Sequence, residues 1–215
     1  MGGASWVGTH GPQAIISNNE LQLGGSSGSG FVESYLQLPA GILGSPAPAA
    51  VSIEMWITTW SGSSNSNSNV LIQFGSHLTS YGSQANAGSF EFGRNAMTGG
   101  FILQSWDKMG ALGASTSSSI WIPFNGQTRM HVVLVLVNGG PGYVYLNGAL
   151  AATSTGAVYL PDGSAGEINY IGCGSDYMQS PFVGTVDEFR VWEGALQQSD
   201  VTAHYIAGPN GAIGE

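Results

Sequence analysis

Few residues in this chain can do chemistry, because only four of its 215 residues are basic and thirteen acidic. The densest acids are Asp187, Glu188 and Glu193. Glycoside hydrolysis needs two carboxyl groups converging about 5 to 10 Å apart. Adjacent strand residues point to opposite faces, so Asp187 and Glu188 are not expected to flank one bond, whereas Glu188 and Arg190 share a face. Glu54 and Arg190 are each a lone charge in an apolar strand, and buried charges persist mainly as pairs. A structural ion pair is expected if those two strands lie side by side, with Trp56 and Trp192 on the same faces as the charges and read as packing rather than as sugar platforms. His10, His77, His131 and His204 stand far apart without ligand spacing. Cys173, the single cysteine, excludes an intrachain disulfide and a cysteine-based zinc cluster, and between two glycines it reads as a small buried hydrophobe. No Gly-x-Ser-x-Gly elbow occurs, and Gly24–Gly30 lacks the lysine of a phosphate loop.

Sugar recognition asks for an aromatic face against the apolar side of a ring, with acids or amides for the hydroxyls, on exposed loops. Trp106-Asp107-Lys108, closing a strand, and Asp176-Tyr177, in a loop, offer that combination. Tyr81, His77 and Arg94 are further candidates. The competing reading is that these aromatics staple loops onto the core.

The elements that must position these residues are strands. Ala14–Ile16 and Glu20–Leu23 predict an N-terminal hairpin about Asn18-Asn19. In Val51–Trp60, Val51, Ile53, Met55 and Ile57 alternate with Ser52, Glu54, Trp56 and Thr58, predicting a strand with one buried face. Phe31–Leu38, Val70–Phe74, Ser89–Arg94, Phe101–Trp106 and Ser119–Pro123 also read as strands. Met130–Val137, Gly142–Leu146 and Ala149–Thr153 form two hairpins closed by Gly139-Gly140 and Asn147-Gly148, dipeptides that accept positive φ. Glu167–Gly172 and Pro181–Trp192 supply the last strands. Helical spacing is confined to Gln197–Ile206. Ser61–Asn69 is too polar to pack and reads as an exposed loop.

Composition narrows the partners. Hydrophobic residues make up 42% of the chain, enough for a core, while only 8% are charged and the formal net charge is -9. Phosphate backbones and anionic membranes need clustered cations, so neither nucleic acid nor membrane insertion is expected. The longest strongly apolar run, Val132–Val137, is far short of a membrane span. Met1–Gln13 carries no signal-peptide pattern.

Ser52-Ile53-Glu54-Met55-Trp56-Ile57, Met130-His131-Val132-Val133, Val144-Tyr145-Leu146-Asn147-Gly148, Tyr170-Ile171-Gly172 and Phe182–Trp192 resemble, in order, segments of laminin-G-like, concanavalin A-like lectin and glucanase jelly rolls. The resemblance runs from about residue 14 to 210. It implies an all-β fold, a two-sheet antiparallel jelly-roll sandwich with at most a couple of short helices, as a single domain over residues 1–215. Some relatives hydrolyse β-glucans with a Glu-x-Asp-x-x-Glu strand, which is absent from this sequence. Similar jelly rolls sometimes hold a structural calcium ion through an acid of the last strand, a position that Asp187 matches. The expected role is non-catalytic recognition, extracellular or surface-displayed, of a glycan bound by Trp106 and Asp107 with Tyr177, Asp176, Tyr81 and Arg94. The alternative is a self-assembling structural or adhesive subunit of a surface coat, filament or larger surface protein, with a glycoside hydrolase a third reading.

Overall fold

The computed structural model describes residues 5–6, 15–17, 20–24, 35–60, 69–75, 88–95, 99–107, 111–116, 120, 122, 128–163, 167–174 and 180–211. The strands, in chain order, are β1 (Ser5–Trp6), β2 (Ile15–Ser17), β3 (Glu20–Leu23), β4 (Leu36–Leu38), β5 (Ala50–Thr59), β6 (Asn69–Phe74), β7 (Ser89–Arg94) and β8 (Phe101–Trp106). There follow β9 (Leu112–Thr116), β10 (Arg129–Val137), β11 (Gly142–Leu146), β12 (Ala149–Gly156), β13 (Asn169–Ile171), β14 (Ser180–Pro181) and β15 (Gly184–Glu193), then the helix α1 (Gln198–Ala207). Among the described residues no helix is long and apolar enough to cross a membrane.

Most expected strands are present. Asn147 and Gly148 both take positive φ, 50° and 78°, at the β11–β12 turn, as an Asn-Gly hairpin requires. The N-terminal hairpin forms with Ser17 opposite Glu20. Of Phe31–Leu38 only Leu36–Leu38 is strand among the described residues, and of Ser119–Pro123 the described residues are Ile120, which makes a single bridge to Phe101, and Ile122, which is in no strand. Pro181–Trp192 divides into β14, which pairs parallel to β6, and β15; Gly184 begins the second ladder at φ 156°. The strand β9 was not expected, because Leu-Gly-Ala-Ser-Thr shows no alternation.

Instead of two separate sheets, hydrogen bonding among the described residues makes one 15-stranded sheet in the order β1-β4-β13-β6-β7-β8-β9-β12-β11-β10-β5-β15-β3-β2, with β14 beside β6. The joint is β12, whose Ala149–Thr153 pair with β11 and Ser154–Gly156 with β9. Ile53, Met55 and Ile57 of β5 and Val132 and Leu134 of β10 share a core cluster with Phe74, Phe90, Phe92 and Leu103 from the other arm. The sheet therefore curls until its two arms enclose one apolar interior, which is how a single ladder removes its apolar face from water.

The other face of β5 is also covered, contrary to the one-faced burial its alternation suggests. Val133, Val135 and Tyr145 project to this outer face and pack with Val201 of α1, with Leu196 beside them. The helix begins where the Asp200 carboxylate accepts the Gln197 N–H at 2.9 Å and stops at Gly208, φ 74°.

Candidate functional site

Glu54 lies on the outer face of β5, fully buried, where β10, β15 and α1 meet it. Its Oε1 accepts from His131 Nε2 at 3.1 Å and Arg190 Nη1 at 3.3 Å; its Oε2 accepts from Trp192 Nε1 at 2.8 Å and pairs with His204 Nδ1 at 3.0 Å. Arg190 also pairs with Glu188. Burial pushes the Glu54 carboxyl up, but hydrogen bonds from His131 and Trp192 and the neighbouring histidines outweigh it and hold the group below its ordinary range. The expected Glu54–Arg190 pair is therefore present, because β5 and β15 are neighbours with Arg190 opposite Glu54. The same register sets Trp56 opposite Asp187, so Asp187 and Arg190, three apart in sequence, oppose outer-face residues only two apart. A bulge at Glu188, φ 52°, absorbs the extra residue and breaks the strict alternation assumed from sequence.

Trp192 connects this cluster to an open cleft. The cleft, of about 910 Å³, is lined by the 39–48 loop, including Pro39, Ile42, Pro46 and Pro48, and by Val191, Trp192 and Glu193 at the end of β15. The loop is fastened from below. Glu167 accepts the N–H groups of Gly41 at 3.2 Å and Gly163 at 2.8 Å, while Asn169 Nδ2 donates to Pro39 O at 2.9 Å and to Glu167 Oε1 at 2.6 Å. Asn169 is itself fully buried and accepts the Gly75 N–H at 3.1 Å. The platform is fixed as well, since Trp192 Nε1 is committed to Glu54 and its ring lies 5.2 Å from that of His204. A half-buried indole beside an exposed carboxylate, in a cleft whose walls are anchored, is suited to a ring with an apolar face and hydroxyl edges. Sequence reading took Trp192 for packing; the long-range convergence of 39–48 on 191–193 has no local signal.

The residues expected to bind a ligand are placed differently. Trp106 ends β8 opposite Ser89, with 9% of its surface exposed, so little of its indole is presented to solvent. Asp107 Oδ1 accepts the Ala111 N–H at 2.9 Å, and the Asp107 N–H donates to Ala111 O at 2.9 Å, tying the end of β8 to the residue before β9. Arg94 donates to Gly99 O at 3.4 Å and stands opposite Phe101, at the other end of the β7–β8 hairpin from Trp106; the two do not meet. Tyr81, His77, Lys108, Asp176 and Tyr177 lie outside the described residues. Cys173 is buried, as expected of a small apolar side chain.

Asp187 is 5% exposed and pairs through Oδ2 with Arg129 Nη2 at 2.8 Å. Arg129 also pairs with Glu20, which stands opposite Asp187 on β3. Oδ1 of Asp187 has no hydrogen-bond partner among the described residues. Burial pushes the Asp187 carboxyl above its ordinary range; Arg129 and the Glu188 N–H oppose this, and the charges of Glu188 and Glu20 add to it. Among the described residues, no group of three or more His, Cys, Asp or Glu side chains could hold a metal ion.

Comparison with known proteins agrees with this architecture. A profile described as the concanavalin A-like lectin/glucanases superfamily matches residues 27–202. No curated protein sequence matches significantly. Among solved structures, the chain is similar to domain 4 of AbnA, an extracellular GH43 arabinanase from Geobacillus stearothermophilus solved with arabinotriose, at 22% identity and TM-score 0.56, covering 79% of this chain and 71% of that one. It is similar to the heptameric SAP-like pentraxin of Limulus polyphemus at 18% identity and TM-score 0.56, covering 91% and 85%. It is similar also to the receptor-binding domain of a botulinum neurotoxin mosaic of serotype C/D at 15% identity and TM-score 0.63, covering 96% of this chain and 46% of that one.

Proposed function

The chain belongs to the concanavalin A-like lectin/glucanases superfamily, and from that premise we propose that it is a non-catalytic recognition domain, extracellular or surface-displayed, that binds a neutral saccharide. The observation that carries this reading is the Trp192 cleft. Its platform and its loop are both tied to buried polar residues, so a ligand would find the site already formed. Glu193 is the charged residue among those lining it, and the chain carries a formal charge of -9. An acidic sugar would meet repulsion there, whereas hydroxyl groups can donate to the carboxylate. Two of the similar structures fit such a role by their descriptions, one being an arabinanase domain with arabinotriose and the other a receptor-binding domain.

The non-catalytic part of the proposal rests on what the acids do. Glu20 and Asp187 converge on Arg129, and Glu54 and Glu188 converge on Arg190. Each of these carboxylates is engaged by a guanidinium and one of each two is almost wholly buried, so neither couple presents two free carboxyl groups to a glycosidic bond.

A glycan array tests the reading. Neutral oligosaccharides are expected to bind and sialylated or uronic acid ones not to. Trp192→Ala should abolish that binding, and Trp192→Phe, which keeps a ring but loses the bond to Glu54, should weaken it. Binding that survives Trp192→Ala in a folded protein places the site elsewhere, with Trp106 and Asp107 the next to be replaced. The second reading, a self-assembling structural or adhesive subunit, is favoured by the exposed Ile206, Leu112 and Leu150, at 77%, 55% and 50%. Size-exclusion chromatography with light scattering separates the two, a monomer favouring recognition and a concentration-dependent assembly favouring the subunit.

A further inference from the structure

Calcium draws about six to eight oxygen ligands around itself, and the surroundings of Asp187 do not fit such an ion, because a guanidinium already stands between the carboxylates that would hold it. We propose that Arg129 takes the place of a structural cation at this point of the fold. Arg129 begins β10, yet its side chain passes over β5 to Asp187 on β15 and Glu20 on β3. It therefore ties together the part of the sheet that carries the N-terminal hairpin, which is otherwise held to β15 by the four register pairs from Gly184–Leu23 to Asp187–Glu20.

Three features fit a tethered cation. First, the two carboxylates are cross-strand neighbours, an arrangement that is repulsive unless a positive charge lies between them. Secondly, Arg129 is the group that supplies the charge to both, and a divalent ion at the same oxygens would be repelled by it. Thirdly, Asp187 remains short of partners even so. Its Oδ1 is buried and unpartnered among the described residues, and the burial of its carboxyl outweighs the help from Arg129. Withdrawing the guanidinium would leave a buried oxygen and two facing carboxylates, whose repulsion a divalent cation completed by water would relieve and an apolar side chain would not.

Thermal melting of the whole chain, with calcium chloride or with EDTA, tests the proposal. The wild-type Tm is expected to be the same in both. Arg129→Ala should melt lower by at least about 3 °C in EDTA, regain part of that loss in millimolar calcium, and lose the calcium response when Asp187→Asn is added. Arg129→Lys, which keeps a tethered charge, should melt near wild type with no calcium response. A wild-type Tm that falls on chelation overturns the proposal, since the ion and Arg129 would then coexist. So does an Arg129→Ala protein that folds and ignores calcium, for Arg129 would then be an ordinary ion pair. Should Arg129→Ala fold only when calcium is present, the proposal stands; should it fold under neither condition, a calcium response in Arg129→Lys decides against it and none decides for it.

Discussion

Glu54 accepts from four side chains while fully enclosed, so its role is to convert a buried charge into a fixed geometry for Trp192, Arg190, His131 and His204. Removing one partner of such a cluster leaves the others uncompensated, and Glu54→Gln should cost about 3–5 kcal/mol at neutral pH. The pH dependence follows from its depressed carboxyl. A group whose folded-state pKa lies below its unfolded value contributes stability above the unfolded value, here near 4.5, and loses it as pH falls through the folded value. Urea melts of wild type and Glu54→Gln should therefore show a gap at pH 7 that closes well below pH 4.5; a gap undiminished in strong acid would exclude this account. The Glu54–Arg190 pair was legible in sequence, because a lone acid and a lone base in two apolar strands have few ways of being buried. The histidines were not. His131 and His204 are 73 residues apart, and only the docking of α1 on β10 and β5 brings both rings to one carboxylate.

At the scale of elements, the sequence predicted strand interiors well and their outer coverage poorly. Periodicity reports which residues of β5 face the core, but Ser52 is covered by the 194–196 segment and Glu54 and Trp56 by the helix that follows it, about 140 residues later, which no local pattern encodes. β9 carries no strand signal for a related reason, its small residues being strand through pairing with β8 and β12 rather than through propensity. The β11–β12 turn shows the two levels meeting. Asn147-Gly148 sets the hairpin locally, while Gly148 O accepts from Gln198 Nε2 at 2.6 Å and Thr202 Oγ1 at 3.0 Å, docking the helix on the turn. An alanine at position 148 would have to hold φ 78°, and its Cβ would stand 3.0 Å from the Tyr205 Cβ. Gly148→Ala should thus destabilise by about 1–3 kcal/mol, and calorimetry should find Tm lowered by about 2–4 °C per kcal/mol. An unchanged Tm would mean that α1 does not rest on the hairpin.

For the whole molecule, the decisive feature is that one ladder curls round one core, so an aromatic residue's value depends on which side of that core its strand leaves it. Trp106 and Trp192 were both legible as strand-end tryptophans, yet their surroundings differ in kind. Trp106 sits beside Ser105, whose hydroxyl donates to Ser89 O at 2.8 Å and accepts the Tyr159 N–H at 2.9 Å, so its strand end is stitched under the 157–160 segment and the indole is buried. Trp192 sits where β15 runs out beneath the 39–48 loop and keeps part of its ring in an open cleft. Loss of a buried indole costs about 3–5 kcal/mol through lost packing and the cavity left behind. Trp106→Ala should therefore lower Tm sharply and alter saccharide binding only as far as the protein unfolds. Trp192→Ala should remove binding in a protein that still folds, its own loss of Tm coming mainly from the hydrogen bond withdrawn from buried Glu54 and less from packing. Melting curves and titrations of both variants against one neutral oligosaccharide measure the two effects side by side. If the Trp106 variant stays folded and loses binding while the Trp192 variant binds normally, recognition belongs to the β8–β9 rim and not to the cleft.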